Sequence, residues 1–223
     1  MLTHTEENYI KAIYTIQHAS PNQEASVNEI ADRMKTKPAT VTDMLRKLSE
    51  KELINYRKYR KLNLTDAGKT IALQIIRKHR LWETFLHEKL NFSWDEVHEV
   101  AEQLEHIHSK KLIDGLDAML GYPEFDPHGD PIPNAQGVIP PSNAIYLSDA
   151  EQGKKYVITG VKNTHTLFLQ QLEKMQLQIG TLLHISGKMP FDNSLVIHID
   201  KSKANPLMLS EKIATNLLVV PAS

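Results

Sequence analysis

The sequence contains no cysteine. That absence excludes disulfide frameworks, thiolate-held zinc or iron–sulfur centres and thiol nucleophiles, and it fits a reducing cytoplasm. No apolar run approaches the ~18 residues that a membrane-spanning helix needs, so no membrane partner is expected. Residues 1–7 have neither the basic stretch nor the apolar core of a secretory leader. Excess charge is missing too: the formal net charge is -1, which offers no overall attraction to a polyanion. What is present is ordinary globular material, 41% apolar and 24% charged, in a chain longer than one typical domain. Disordered, collagen-like and coiled-coil readings are disfavoured from the start.

The near-neutral total hides a segregation. Residues 33–61 carry ten Lys or Arg against three acids, whereas residues 81–130 carry three against twelve, and five of the eleven histidines lie between His79 and His108. A basic block followed by an acidic, histidine-rich block points to nucleic acid for the first and a cation for the second. Two solvated faces of opposite sign would give the same tally.

Periodicity places a first helix near 5–19 through Tyr9, Ile10, Ile13, Tyr14 and Ile16. Ser26 with Glu29 reads as a capping box opening a second helix, Val27 to Met34. Pro38 suits the first position of a third, with Val41, Met44, Leu45 and Leu48 as its apolar stripe. Two short helices about a polar turn make a helix-turn-helix. Leu53–Tyr56 and Leu62–Leu64, joined by Arg57-Lys58-Tyr59-Arg60-Lys61, read as a hairpin with a basic tip, a wing. Helices are expected over 66–89, 93–107 and 112–120. Six of the eleven prolines fall in 121–144, which reads as a linker. Short β-like runs follow at 145–147, 156–161, 182–186, 195–199 and 216–219, with one helix near 166–175, the pattern of a small barrel.

The second helix of a helix-turn-helix enters the major groove by its N-terminal end. Here that end offers Thr36, Lys37, Ala39, Thr40 and Thr42, with Arg46 a turn or two further on, and the wing adds Arg57, Lys58, Arg60 and Lys61 for flanking phosphates. A three-helix interaction module with a solvated basic face is the competing reading.

In the acidic block, His98, Glu102, Glu105 and His106 stand at i, i+4, i+7 and i+8. On one helix over 93–107 they would share a face. His79 and Glu83 are again i, i+4 on the preceding helix. Burying these carboxylates together without a cation is costly, so the face is either solvated or holds a divalent ion. Mixed imidazole and carboxylate donors without thiolates suit manganese, ferrous iron, cobalt or zinc. His87, His108 and His128 are expected in surface or structural places.

These blocks, taken in order, resemble the DtxR/MntR family of metal-dependent transcriptional repressors along the whole chain. Thr5–Tyr14 is similar to the family's first helix and Val27–Leu48 to its helix-turn-helix. Arg77–Glu83 is similar to its metal- and dimer-forming helix, the stretch from His98 to Glu105-His106 to its ligand helix, and Pro127–Pro133 to its proline signature. The resemblance implies a mainly α N-terminal part followed by a small all-β barrel. Its domains would be a winged helix-turn-helix over 1–72, a helical dimerisation and metal-binding domain over 73–122, a proline-rich linker over 123–144 and an SH3-like (FeoA-type) domain over 145–223. It also implies a cytoplasmic homodimer on an inverted-repeat operator in double-stranded DNA, repressing metal-uptake genes when metal is bound, and no enzymatic activity.

One metal site would use His79, Glu83 and His98, and the other Glu102, Glu105, His106 and Asn8, with His165 a possible contribution from the SH3-like domain. Iron-responsive members carry methionine at the Asn8 position and cysteine at the Glu102 position. Manganese-responsive members carry aspartate at the first, of which Asn8 is the neutral counterpart. A subgroup with a closely spaced binuclear site has glutamate where Lys11 stands, so two separated sites are implied here. Mn(II) is the expected corepressor, then Fe(II), with Zn(II) or Co(II) binding in vitro. Two other readings stay open. A metallohydrolase built on the same residues would show turnover, and a winged-helix regulator with a structural His/Glu site and another effector would bind DNA regardless of chelation.

Overall fold

The computed structural model describes residues 2–20, 22–56, 62–199 and 206–222. By its contacts the chain divides into two compact units, 1–79 with 102–115 and 133–139, and 80–101 with 116–132 and 140–223. The proline-rich stretch read as a linker is thus shared out, 121–132 and 140–144 to the second unit and 133–139 to the first.

In the first unit, α1 (His4–Ala19) opens on a capping box in which Thr3 and Glu6 satisfy each other's backbone N–H groups. Ser26 and Glu29 do the same for α2 (Val27–Arg33). That helix stops where Lys35 takes a positive φ of 50° and the Thr36 N–H donates to the Ala31 carbonyl, a left-handed C-terminal cap. Pro38 then starts α3 (Pro38–Glu50). Two short strands, β1 (Ile54–Asn55) and β2 (Asn63–Leu64), pair antiparallel as the base of the hairpin. Its basic tip, Arg57, Lys58, Arg60 and Lys61, lies outside the described residues. Ile10, Ile13, Ile30, Val41, Leu45, Leu48 and Leu62 form the fully buried core of this winged helix. Fully burying seven such side chains contributes on the order of 10–20 kcal/mol before chain entropy is subtracted.

The long helix α4 (Asp66–Leu90) crosses the boundary between the units after His79. It is followed by α5 (Val97–Leu104) and α6 (Lys110–Met119). The expected helix over 93–107 is therefore shorter at both ends. Ser93–Glu96 form a capping turn before it, and the chain leaves the helix at Leu104, so that Glu105 and His106 lie in the turn beyond.

The second unit holds a six-stranded antiparallel sheet of SH3-like type. Its strands are β3 (Ile145–Tyr146), β4 (Lys155–Val161), β5 (Leu182–Lys188), β6 (Leu195–Ile199), β7 (Leu207–Leu209) and β8 (Leu217–Pro221), in the order β3-β8-β4-β5-β6-β7. A helix α7 (Thr166–Lys174) follows β4, and a short α8 (Glu211–Ala214) precedes β8. Alternation of buried and less buried residues along β6 and β8 fills one core with Ile158, Leu169, Leu183, Ile185, Leu195, Ile197, Leu217 and Val219. Sequence reading missed β7 and α8, each too short for its period to register. Among the described residues no helix is long and apolar enough to cross a membrane.

Candidate metal centres and nucleic-acid interface

At the start of α3 the structure presents Lys37, Ala39, Thr40 and Arg46 to solvent, with Thr36 and Thr42 half-buried. Lys37 is the helix N-cap, and its exposed side chain makes no capping bond. The Thr42 hydroxyl donates back to the Pro38 carbonyl, and Arg46 lies 3.5 Å from Asp43 on an exposed face. Exposed cations and hydroxyls at the leading end of a second helix can reach a groove.

The acidic block resolves into two clusters, one in each unit. In the first unit, Glu105 is completely buried, and its Oε2 accepts from His79 Nδ1 at 2.6 Å and from Lys11 Nζ at 2.7 Å. Burial resists charge on this carboxyl, but the His79 bond and the Lys11 ammonium together hold it below the usual carboxylate range. The other oxygen, Oε1, is buried without a hydrogen-bond partner and lies 3.9 Å from His106 Nε2. His106 is fixed through its other nitrogen: Nδ1 bonds Glu7 Oε2 at 2.6 Å, and its ring stacks on His4. That leaves Nε2 as the nitrogen bearing the lone pair. A buried carboxylate oxygen without a donor, beside an imidazole aimed with its lone pair, fits a divalent cation. Glu102 is half-exposed, 3.8 Å from Lys11.

Glu83 is the centre of the second cluster. Its Oε1 accepts from His98 Nδ1 at 3.1 Å, and its Oε2 lies 3.7 Å from His128 Nδ1. His128 donates its Nε2–H to the Trp94 carbonyl at 2.6 Å, which turns Nδ1 toward the carboxylates. Glu83, Asp126 and His128 are all buried, with one ligand atom from each lying within 4.8 Å of the others. Asp126 Oδ1 accepts the backbone N–H groups of His128 and Asp130, while Arg80 approaches its Oδ2 at 3.7 Å and also bonds the Pro131 carbonyl. Burial, then the neighbouring Glu83 charge, push the Asp126 carboxyl up to about 7. Burial opposes charge on His128, but Glu83 and Asp126 overcome it and raise that group above its ordinary value.

The raised Asp126 carboxyl makes the stability of the metal-free protein depend on pH. A carboxyl ionising near 7 when folded and near 4 when unfolded costs the folded state progressively more as pH rises between those values. Asp126→Asn keeps an oxygen for the two backbone donors and removes the charge. In metal-free protein it is expected to stabilise by about 2 kcal/mol more at pH 8 than at pH 5. Thermal melting at the two pH values measures this; equal gains at both would refute a buried, ionising Asp126.

The expected shared face of His98, Glu102, Glu105 and His106 is thus not formed. With Glu105 and His106 beyond the helix, His98 pairs with Glu83 in one unit, while Glu105 and His106 pair with His79, Lys11 and Glu7 in the other. On α1, Asn8 is half-buried, and the first-helix contacts to this cluster come from Glu7 and Lys11. His79 stands one turn before Glu83 on α4. His165 caps α7, its Nδ1 accepting the Leu167 N–H, and joins no group of three ligand atoms among the described residues. His87 is exposed and bonds the Phe92 carbonyl, and half-exposed His108 lies 3.4 Å from Glu7. His128 is buried, and sequence reasoning missed it and Asp126 as candidate ligands. The available signal was Asp126-Pro127-His128-Gly129-Asp130, a tight turn that sets two donor side chains two residues apart.

The chain matches three family models. The iron dependent repressor N-terminal DNA binding domain covers residues 1–62, the iron dependent repressor metal binding and dimerisation domain covers 65–134, and the FeoA domain covers 145–221. It is 31% identical over 132 residues to the iron-dependent repressor IdeR of Mycobacterium tuberculosis, 59% of this chain and 56% of that protein. The chain therefore spans about half the length of such relatives. To the HTH-type transcriptional regulator MntR of Bacillus subtilis it is 33% identical over 126 residues, 56% of this chain and 87% of the relative. A solved manganese-dependent transcriptional repressor in complex with manganese is similar with a TM-score of 0.86 at 32% identity, over 97% of this chain and all of that one.

Proposed function

Because the chain belongs to the DtxR/MntR family of metal-dependent transcriptional repressors, we propose that it represses metal-uptake genes as a homodimer on an inverted-repeat operator, with Mn(II) as preferred corepressor and Fe(II) next. The observation that carries the metal dependence is the unpartnered, fully buried Glu105 Oε1 beside His106 Nε2. The relatives compared above are transcriptional regulators, which sets the hydrolase reading aside.

Two loci are assigned. Glu105 and His106 form one, with Glu102 and Asn8 within the same unit. Glu83 with His98 forms the other, together with Asp126 and with His128, whose Nδ1 faces the far oxygen of Glu83. A divalent cation supplies the positive charge that lets such carboxylates converge in a buried place. Donors drawn from oxygen and imidazole without sulfur favour a hard ion such as Mn(II). Glu7 orients His106, and the Trp94 carbonyl orients His128, so each presents a defined nitrogen.

Since α1 carries Glu7 and Lys11 on one side and packs Ile10 and Ile13 into the winged-helix core on the other, it ties the metal locus to the DNA-binding element. A ligand that prefers the DNA-competent arrangement of that tie shifts the population toward it. For dimerisation, α6 exposes Leu112 and Met119 seven residues apart on one face.

Fluorescence anisotropy on DNA from the protein's own promoter and neighbouring metal-transporter promoters tests the reading, with Mn(II), anaerobic Fe(II), Zn(II) and chelator in parallel. Binding at least ~20-fold tighter with Mn(II) than with chelator is expected, within the usual span of allosteric coupling. Equal affinity in chelator would overturn the metal gate.

A further inference from the structure

Lys11 is placed where a cation would be sought. Its ammonium lies 2.7 Å from Glu105 Oε2 and 3.8 Å from Glu102 Oε1, and its side chain is 18% exposed. A second, half-buried cation, Lys78, feels the same acids: burial holds its ammonium below the usual lysine range, against the pull of Glu7 and Glu105. The first unit therefore already carries positive charge among its ligand carboxylates.

Building on the reading above, we infer that Lys11 acts as a resident cation for Glu105, lowering the affinity of the Glu105–His106 locus for a divalent ion. The physical basis is competition on one carboxylate. Oε2 is committed to Lys11 and His79, so Oε1 remains for a metal. Any cation held there shares a carboxylate with the ammonium, and like charges at about 5 Å repel well above thermal energy even with an effective dielectric near 20. The same ammonium neutralises Glu105 when no metal is bound, which removes part of the incentive to bind one. Both effects weaken binding. The same contact leaves α1 tethered to Glu105 in the metal-free protein.

The test is Mn(II) binding by isothermal calorimetry to the full chain, read as affinity and ions per chain. Lys11→Met removes the charge and keeps the apolar stem; Lys11→Arg keeps the charge. The Met variant is expected to bind Mn(II) about tenfold more tightly at this locus (about 1.4 kcal/mol), while its metal-free form melts at a lower temperature. The Arg variant should stay within threefold of the parent. Should Lys11→Met fail to fold, Lys11→Gln, which retains a donor for Glu105, takes its place with the same expected direction. Glu105→Gln separates the two levels of the argument. If it loses the locus while Lys11→Met binds like the parent or more weakly, the Lys11 role is overturned and the metal site stands. If Glu105→Gln binds Mn(II) as the parent does, both fall.

Discussion

Replacing Glu105 with glutamine is expected to abolish the metal response of DNA binding while leaving the fold in place. The parent should tighten on its operator by roughly 50-fold between chelator and saturating Mn(II), a coupling of about 2.3 kcal/mol; Glu105→Gln should show less than threefold. The substitution preserves volume, so no cavity opens in this buried position. It removes the one feature a divalent ion needs most, an ionised oxygen in a dry place, while an amide oxygen can still accept from His79 Nδ1. Lys11 loses its closest counter-ion but keeps Glu102 at 3.8 Å and 18% exposure to water, so the penalty in metal-free protein stays near 1–2 kcal/mol. Circular dichroism melts without metal check that the fold survives, and anisotropy with and without Mn(II) reads the response. A variant that still tightened 50-fold with Mn(II) would remove Glu105 from the site. Loss of folding without metal would mean its role is structural first.

The winged helix was legible because each of its parts has a local signature. Ser26 with Glu29 marks a helix start, Pro38 another, and the Val41, Leu45 and Leu48 stripe marks the face that the core takes. The ligand residue types were legible too, since histidine and glutamate concentrate in one block. Their grouping was not. A helical period extrapolated through 93–107 puts Glu105 and His106 on the His98 face, but no glycine or proline warns that the helix ends at Leu104. The two residues beyond that end bond instead to Lys11 and Glu7 on α1, almost a hundred residues earlier.

Asp126 and His128 escaped for the related reason that their neighbour, Glu83, is about forty residues upstream. What does mark them locally is backbone. Asp126 accepts two N–H groups from its own turn, and Gly129 turns the chain with φ +83° so that the His128 carbonyl can take the Val161 N–H of β4 at 2.8 Å. Trp94, whose carbonyl holds His128, itself packs into the barrel core. Within the second unit the barrel is therefore part of what positions the Glu83 cluster, independently of any ligand donated by His165.

That arrangement concentrates a large effect on one glycine. A Cβ at Gly129 would stand 2.0 Å from the Thr159 carbonyl oxygen and 2.4 Å from the Gly160 Cα, both backbone atoms of β4 that cannot swing aside. Gly129→Ala must push the 126–132 turn off the strand and also hold an alanine at positive φ, so a loss of about 3 kcal/mol is expected. For a chain of this size that lowers the melting midpoint by roughly 6–12 °C. Gly153→Ala is the matched control, because Gly153 has φ +85° with nothing within 4 Å of the added carbon, and it isolates the conformational part at about 1 kcal/mol. Since the displaced turn carries Asp126 and His128, Gly129→Ala should also weaken Mn(II) binding at the Glu83 locus about tenfold, leaving the Glu105–His106 locus within twofold of the parent. Equal melting losses for the two alanines would show that the close approach to β4 costs nothing. A large melting loss with unchanged Mn(II) affinity at Glu83 would show instead that the turn stabilises the second unit without shaping its metal site.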